Sequence, residues 1–218
     1  MNLKLKELHD WMKSNCPNYI SMITVGSVAT GDTLIEGRSD NDICLIFENE
    51  FKEDIPKIRE YVLKLNFDKE YAISTFQKED FIGPNAISHD FSHKFRSKVL
   101  FGEDFTEKIN LPNRKTIFEI YSNGLRETKE KLKQKLNYGG LWQESKVKKE
   151  FWKLFKHVFM YLSIKHYYET NIYPKTRDDL VSFLDSPILD RTLTTLKDIN
   201  NKNSEEIFKV AYELSDYL

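Results

Sequence analysis

Apolar residues change their spacing along the first half of the chain, and the spacings predict alternating helices and strands. Three short runs are apolar and rich in β-branched residues, which is typical of strands: 19–25, 41–47 and 71–76. Helical spacing predicts three helices around them: one that ends at SNCP (14–17), a short one over 28–34 and one over 53–65. The resulting order favours a small mixed sheet with flanking helices.

The second half of the chain shows helical spacing throughout and no convincing strand. Five helices with short connections are predicted: 114–137, 145–170, one that starts at Thr176, one that starts at Ser186-Pro187, and one that carries Ile207, Val210 and Leu214. Thr176 and Asp179 form a capping-box pattern, whereas Gly124 weakens the first of these helices. The pattern indicates an antiparallel bundle. The predicted fold class is therefore α+β, a mixed sheet with helices followed by an all-α helical bundle.

Charge changes sign near the same point of the chain. Residues 1–111 carry 14 Lys and Arg against 19 Asp and Glu, whereas residues 112–218 carry 19 against 15. We therefore expect a boundary near Pro112 and two domains, 1–111 and 112–218. Lysines that solvate helix surfaces account for the basic half, and a polyanionic partner stays open as an alternative.

Composition and cysteine use favour a globular, cytoplasmic protein. Hydrophobic residues make up 40% of the chain and charged residues 31%. No apolar run approaches the roughly 20 residues of a membrane span, and the first residues lack the apolar core of a signal peptide. We therefore expect no membrane partner. Cys16 and Cys44 do not suggest a disulfide framework, and both are predicted to be reduced, buried thiols.

Candidate chemistry lies at the start of the second predicted strand. Asp40 and Asp42 occupy alternate positions, so their side chains are expected on one face of the strand. Two carboxylates this close repel each other unless a cation lies between them, and Mg²⁺ prefers such ligands together with substrate phosphates. For a lone D-x-D pattern, however, a turn residue followed by a solvated strand residue is the favoured interpretation.

A Gly-Ser pair ends the first predicted strand. Gly26-Ser27 would present backbone N–H groups and a hydroxyl to an anion, and glycine lets the backbone come close to a phosphate. Alone, the pair is an ordinary strand-ending glycine. Together with twelve intervening residues (28–39) and then Asp40 and Asp42 at the next strand, it predicts a phosphate cradle beside a metal site.

This arrangement resembles the signature of the nucleotidyltransferase superfamily related to DNA polymerase beta. "VGS" and "SDNDICLIF" carry the resemblance, and "KVLFGEDF" (98–105) is similar to the segment that closes the catalytic domain in bacterial aminoglycoside and minimal nucleotidyltransferases. The resemblance implies a nucleotidyltransferase fold for 1–111, and an acceptor-binding or dimerisation bundle for 112–218. Carried over by position, the nucleotide-binding residues are Gly26, Ser27 and Ser39, and the ligands of two Mg²⁺ ions are Asp40 and Asp42.

The third predicted strand departs from the family pattern. Members often supply a third carboxylate there, but the preferred alignment puts Ala72 at that position. Glu70 lies two residues earlier on the same face, and we predict it as the catalytic replacement. The alternative is that Glu70 is only the exposed start of the strand, in which case two carboxylates hold the metals and activity is weakened or absent.

The resemblance implies an enzyme that moves a nucleoside monophosphate from an NTP to an acceptor hydroxyl, with release of pyrophosphate. The acceptor is expected to be a small molecule such as an aminoglycoside-like antibiotic. A protein or a tRNA, as in toxin–antitoxin members, is the alternative, and a catalytically weakened nucleotide- or partner-binding module is another. Candidates for the general base are Glu70, Glu144 and Glu150. A homodimer through the bundle is also open.

Overall fold

The computed structural model describes residues 3–32, 41–67, 71–82 and 90–218. Three of the candidate site residues, Ser39, Asp40 and Glu70, lie outside these ranges. Contacts divide the chain into two compact units, Met1–Leu111 and Pro112–Leu218.

The first unit combines strands with short and medium helices. Its elements within the described ranges are α1 (Leu3–Asn15), β1 (Tyr19–Val25), α2 (Ser27–Thr30), β2 (Asn41–Phe47), α3 (Ile55–Leu65), β3 (Tyr71–Gln77), α4 (Lys78–Ile82), α5 (Asp90–Phe95) and β4 (Ser97–Gly102). The three predicted strands are confirmed. Pro56 lies in the first turn of α3, where its missing N–H removes no helical hydrogen bond.

The four strands form one mixed sheet in the order β3-β2-β1-β4. β2 pairs with β3 in parallel, whereas β1 pairs antiparallel with both β2 and β4. β4 was not predicted as a strand, because SKVLFG is short and begins with polar residues that carry no alternating pattern. The segment is extended because its backbone pairs with the apolar strand β1.

Apolar side chains cover both faces of this sheet. On one face Leu8 and Met12 of α1 and Ile58 of α3 are buried in the same cluster as Leu45. On the other face Phe105 packs with the cluster that includes Cys44. Burial on both faces explains why β1 and β2 are continuous apolar runs rather than alternating ones.

Both cysteines are free and buried, as predicted. Burial is the main cause that raises the pKa of Cys16 to about 11 and that of Cys44 to about 12. The thiolate is the reactive form of cysteine, so both side chains are inert thiols at neutral pH.

Five helices make up the second unit, as predicted: α6 (Arg114–Gly139), α7 (Glu144–Thr170), α8 (Arg177–Leu184), α9 (Pro187–Lys197) and α10 (Ser204–Tyr217). α6 and α7 run antiparallel, since Arg114 donates to the carbonyl of Tyr168 at 2.7 Å and Lys135 pairs with Glu150 at 2.6 Å. Among the described residues, none of the helices combines the length and the apolar character that crossing a membrane would need.

Helix ends in the second unit follow the capping pattern of the sequence. Thr176 and Asp179 form the predicted capping box at the start of α8. Asn203 and Glu206 form a second box at the start of α10, which the Asn-x-x-Glu spacing would have indicated. Each box satisfies two backbone N–H groups that a helix start leaves without partners.

Candidate active site

One residue from each strand contributes to a row across one end of the sheet. Val25 is paired with Ser97 on one side and with Asp42 on the other, and Asp42 is paired with Ala72. Residues that face each other on neighbouring strands project on the same side of a sheet. This is the end at which β1 finishes and the other three strands begin, so it is also where the Gly-Ser turn leaves the sheet.

Gly26 makes this turn possible through its backbone conformation. Its φ of 75° and ψ of −142° lie in a region that only glycine adopts without strain. Its amide donates to the carbonyl of Arg96 at 2.8 Å, which continues the pairing between β1 and β4. A ligand can therefore come close to the backbone of Gly26, but the Gly26 N–H already donates a hydrogen bond within the protein.

The two parts of the sequence motif meet in space at Asp42. A Cβ atom placed on Gly26 would lie 3.6 Å from Asp42 Oδ2, so the bare glycine forms one wall beside the carboxylate. Asp42 is only partly exposed. Its negative charge helps to raise the pKa of Cys44, two residues along the same face. The arrangement places a carboxylate and a glycine turn side by side, and these are groups that suit a hard cation and a phosphate group.

Ala72 occupies the position next to Asp42 on β3, in parallel register. Its side chain is exposed, and a methyl group stands at the position where the family often has a carboxylate. In the described part of the chain, no three His, Cys, Asp or Glu residues lie close enough to hold a metal ion. The other carboxylates assigned to the site from the sequence, Asp40 and Glu70, lie outside the described residues.

Comparison with known proteins decides the family. A family model described as a nucleotidyltransferase domain matches residues 5–133, more than half of the chain. The chain belongs to the nucleotidyltransferase domain family. The resemblance read from "VGS" and "SDNDICLIF" is thus confirmed, and so is the prediction of a transferase enzyme.

The fold of this nucleotidyltransferase is similar to that of a solved adenyltransferase. The structure of spectinomycin adenyltransferase AAD(9) from Enterococcus faecialis, solved with ATP and spectinomycin, superposes with a TM-score of 0.51. The match covers 98% of this chain and 97% of that one at 12% sequence identity, which confirms the predicted fold class. No curated protein matches the sequence significantly.

Two residues that sequence reasoning missed lie directly behind the glycine turn. Asp32 follows the short helix α2, and its carboxylate accepts a hydrogen bond from Arg96 Nη2 at 2.9 Å. The two residues are 64 positions apart, so no local pattern links them. A charged residue after Thr30-Gly31 would be read as a solvated turn residue, yet the side chain of Asp32 is fully buried.

Two of the general-base candidates, Glu144 and Glu150, form ion pairs within the second unit. Glu144 pairs with Lys148 at 2.5 Å, and Glu150 pairs with Lys135 at 2.6 Å. The hydrogen bond from Lys135 lowers the pKa of Glu150 against the opposing effect of burial. Since basicity falls with the pKa, Glu150 is a weak base in this nucleotidyltransferase.

Proposed function

We propose that this enzyme transfers a nucleoside monophosphate from an Mg²⁺-bound NTP to a hydroxyl group of a small, aminoglycoside-like acceptor. The observation that carries the proposal is the carboxylate of Asp42 beside the bare backbone of Gly26. A nucleoside triphosphate carries a metal ion and a chain of phosphates. The carboxylate of Asp42 would bind the metal ion, and the backbone at Gly26 would receive the phosphates. The family of the chain supports the reaction class.

The proposal assigns each candidate residue a role. Asp42, together with Asp40, binds the metal ions, and Glu70 serves as the third carboxylate or as the base. Gly26, Ser27 and Ser39 contact the triphosphate. The helical bundle of residues 112–218 contributes to acceptor binding, or to dimerisation as the alternative.

In the proposed reaction the acceptor hydroxyl attacks the α-phosphorus in line. A new bond forms between that oxygen and phosphorus, the bond to the β-phosphate oxygen breaks, and pyrophosphate leaves while the hydroxyl proton goes to a base. Bound Mg²⁺ would neutralise part of the negative charge on the phosphates. The chain's own contribution is to hold the phosphates against the turn and to exclude side-chain bulk next to Asp42.

The acceptor class rests on two observations. The structurally similar spectinomycin adenyltransferase AAD(9) was solved with spectinomycin bound. Residues 1–111 of this chain carry an excess of five acidic residues, which would attract a cationic small molecule. Both observations favour an aminoglycoside-like acceptor as the first class to test.

A tRNA acceptor is the second candidate, and a lysine cluster on the bundle favours it. Residues 126–156 carry ten Lys and Arg against four Glu, although the chain as a whole is almost neutral. Partial burial lowers the pKa of His157, and the positive charges of Lys131, Lys156 and Lys153 lower it further. These lysines of α6 and α7 therefore lie near one another around His157. Such a cluster attracts a phosphate backbone.

Pyrophosphate release tests the reaction. The protein is incubated with Mg²⁺, each of the four NTPs in labelled form, and in turn a panel of aminoglycosides and bulk tRNA. We expect label on one acceptor class, and a loss of about 100-fold or more in Asp42→Asn, because a metal ligand is removed. Glu79→Gln, which neutralises an exposed carboxylate on α4, is the control and should retain activity.

Other outcomes separate the alternatives. Label on tRNA that disappears when Lys131, Lys153 and Lys156 are changed to Gln would favour the second candidate. Mg²⁺-dependent ATP binding without pyrophosphate release from any acceptor would indicate the catalytically weakened binding module. Unchanged ATP binding and activity in Asp42→Asn would overturn the assignment of this site.

A further inference from the structure

Asp32 and Arg96 close a ring of contacts around the Gly26–Ser27 turn. The Gly26 amide donates to the Arg96 carbonyl at 2.8 Å, and the Asp32 amide donates to the Ser27 carbonyl at 3.0 Å. The Arg96 side chain then donates to the Asp32 carboxylate at 2.9 Å, which joins the two ends. Arg96 therefore contacts the segment at both ends. Its carbonyl binds the Gly26 amide, and its guanidinium group binds the Asp32 carboxylate.

The pair is placed where charges are costly. The Asp32 side chain is fully buried, and the Arg96 side chain is 21% exposed. Arg96 Nε is also buried and has no hydrogen-bond partner among the described residues. A buried ion pair gains little net stability, because desolvation offsets the attraction. Net stability therefore does not explain why this ion pair lies next to the turn.

The segment that the pair holds has little rigidity of its own. α2 has only four residues, too few for a helix that persists by itself. It is flanked by Gly26 and Gly31, both with positive φ, and glycine allows many backbone conformations. Without the contact between Asp32 and Arg96, the residue before β4, the orientation of Ser27 relative to Asp42 would vary.

We propose that Arg96 and Asp32 are positioning residues that fix the Gly26–Ser27 turn in the orientation that receives the β- and γ-phosphates of the donor. This inference rests on the proposed function, since it needs the turn to contact a triphosphate. The pair acts through the turn and touches no reacting atom. Its effect is preorganisation, because a turn that is already in place loses less freedom on binding.

Comparison of ATP with AMP binding tests the pair. In calorimetric titrations with Mg²⁺, we expect Arg96→Gln and Asp32→Asn each to weaken ATP binding roughly tenfold, the size of effect seen when a supporting residue is removed. AMP lacks the phosphates that the turn holds, so its affinity should stay close to that of the wild type. The double variant should be no worse than either single variant, since the two residues act as one unit.

Lys78→Gln is the matched control. Lys78 is 18% exposed, and it bridges Glu48 and Glu103 beyond the other end of β2. Its loss removes two ion pairs to half-exposed glutamates from the same unit but leaves the turn intact, so ATP affinity should stay unchanged. An equal loss of ATP affinity in Lys78→Gln would show that the effect is general destabilisation and would overturn the proposal.

Two further measurements keep the test decisive. If a single variant does not fold, Arg96→Lys and the double Asp32→Asn/Arg96→Gln variant replace it, since the first keeps both charges of the pair and the second removes both. Asp42→Asn is titrated alongside. If Asp42→Asn weakens ATP binding and the pair variants do not, the positioning role is wrong and the proposed function stands. If Asp42→Asn also binds ATP normally, the proposed function itself fails.

Discussion

Ala72 lies beside Asp42 in parallel register, with its methyl group exposed. Neighbouring strands are about 4.8 Å apart, so a carboxylate at residue 72 would reach the same ion as Asp42. The departure from the family pattern is therefore a side-chain difference at a position that the backbone still provides.

Ala72→Asp should strengthen Mg²⁺ binding, because the added carboxylate would share the ion with Asp42. Without Mg²⁺ the two carboxylates repel each other, so the melting temperature in EDTA should fall below that of the wild type and recover when Mg²⁺ is added. Pyrophosphate release should rise about tenfold. Thermal unfolding with and without Mg²⁺, and the release assay, measure these effects.

Ser74→Asp provides the comparison for that variant. Ser74 is exposed on the same face of β3, but it is paired with Cys44 instead of Asp42. An equal response in Ser74→Asp would indicate a general effect of added negative charge. No gain in Ala72→Asp would contradict the prediction and would indicate that the site already receives its third carboxylate from another residue, such as Glu70.

Among the helices, α6 and α7 show how packing can override local preference. Gly124 lies inside α6, where glycine lowers helix propensity by about 1 kcal/mol relative to alanine. A Cβ atom there would lie 2.2 Å from Cε1 of Tyr161 on α7. The ring occupies the space that a side chain would take, so the glycine that weakened the prediction of this helix lets the Tyr161 ring pack against α6.

Gly124→Ala should destabilise the protein despite its better helix propensity. Overpacking costs about 1–3 kcal/mol, which exceeds the propensity gain of about 1 kcal/mol over most of that range. The free energy of unfolding in urea measures the net change. Tyr161→Leu in the same chain should recover part of the loss, because leucine lacks the ring atoms that clash.

Gly140→Ala serves as the reference for this experiment. Gly140 has φ of −61° and ψ of −15°, and a Cβ atom there meets nothing within 4 Å. This substitution should be neutral or should stabilise by about 0.4–1 kcal/mol. If Gly124→Ala also stabilised the protein, the inferred packing against Tyr161 would be wrong.

At the scale of the whole chain, each compact unit has a core of its own. In residues 112–218 the most deeply buried large side chains come from α7, and they include Phe151, Phe155 and Phe159. α10 adds Ile207, Ala211 and Leu214, all fully buried. Buried apolar side chains contributed by several helices are what an independently stable bundle requires.

A fragment of residues 112–218 should therefore fold by itself. We expect a helical circular dichroism spectrum and a single cooperative thermal transition. A shorter fragment that ends at residue 200 lacks α10 and should lose that cooperativity, since it exposes the apolar surface that α10 covers. A helical but non-cooperative 112–218 fragment would contradict the prediction.

Much of the local structure could be predicted from the sequence. The limits of β1 and β2, the five helices of the second unit and the capping box at Thr176 follow from apolar spacing and from hydrogen-bonding residues at helix starts. The site motif was equally local, because Gly26-Ser27 and Asp42 are read from one continuous stretch. These features depend on interactions between residues near each other in the chain.

Only the tertiary structure decided which distant residues meet. It made 97–102 a strand, placed Ala72 next to Asp42, assigned the Gly26 amide to Arg96, and joined Asp32 to Arg96 across 64 residues. It also placed the ring of Tyr161 in the space beside Gly124. Periodicity reports which face of an element is buried, but it does not name the partner that buries it. Strand order, register and ion pairs of this kind arise only when the whole unit packs.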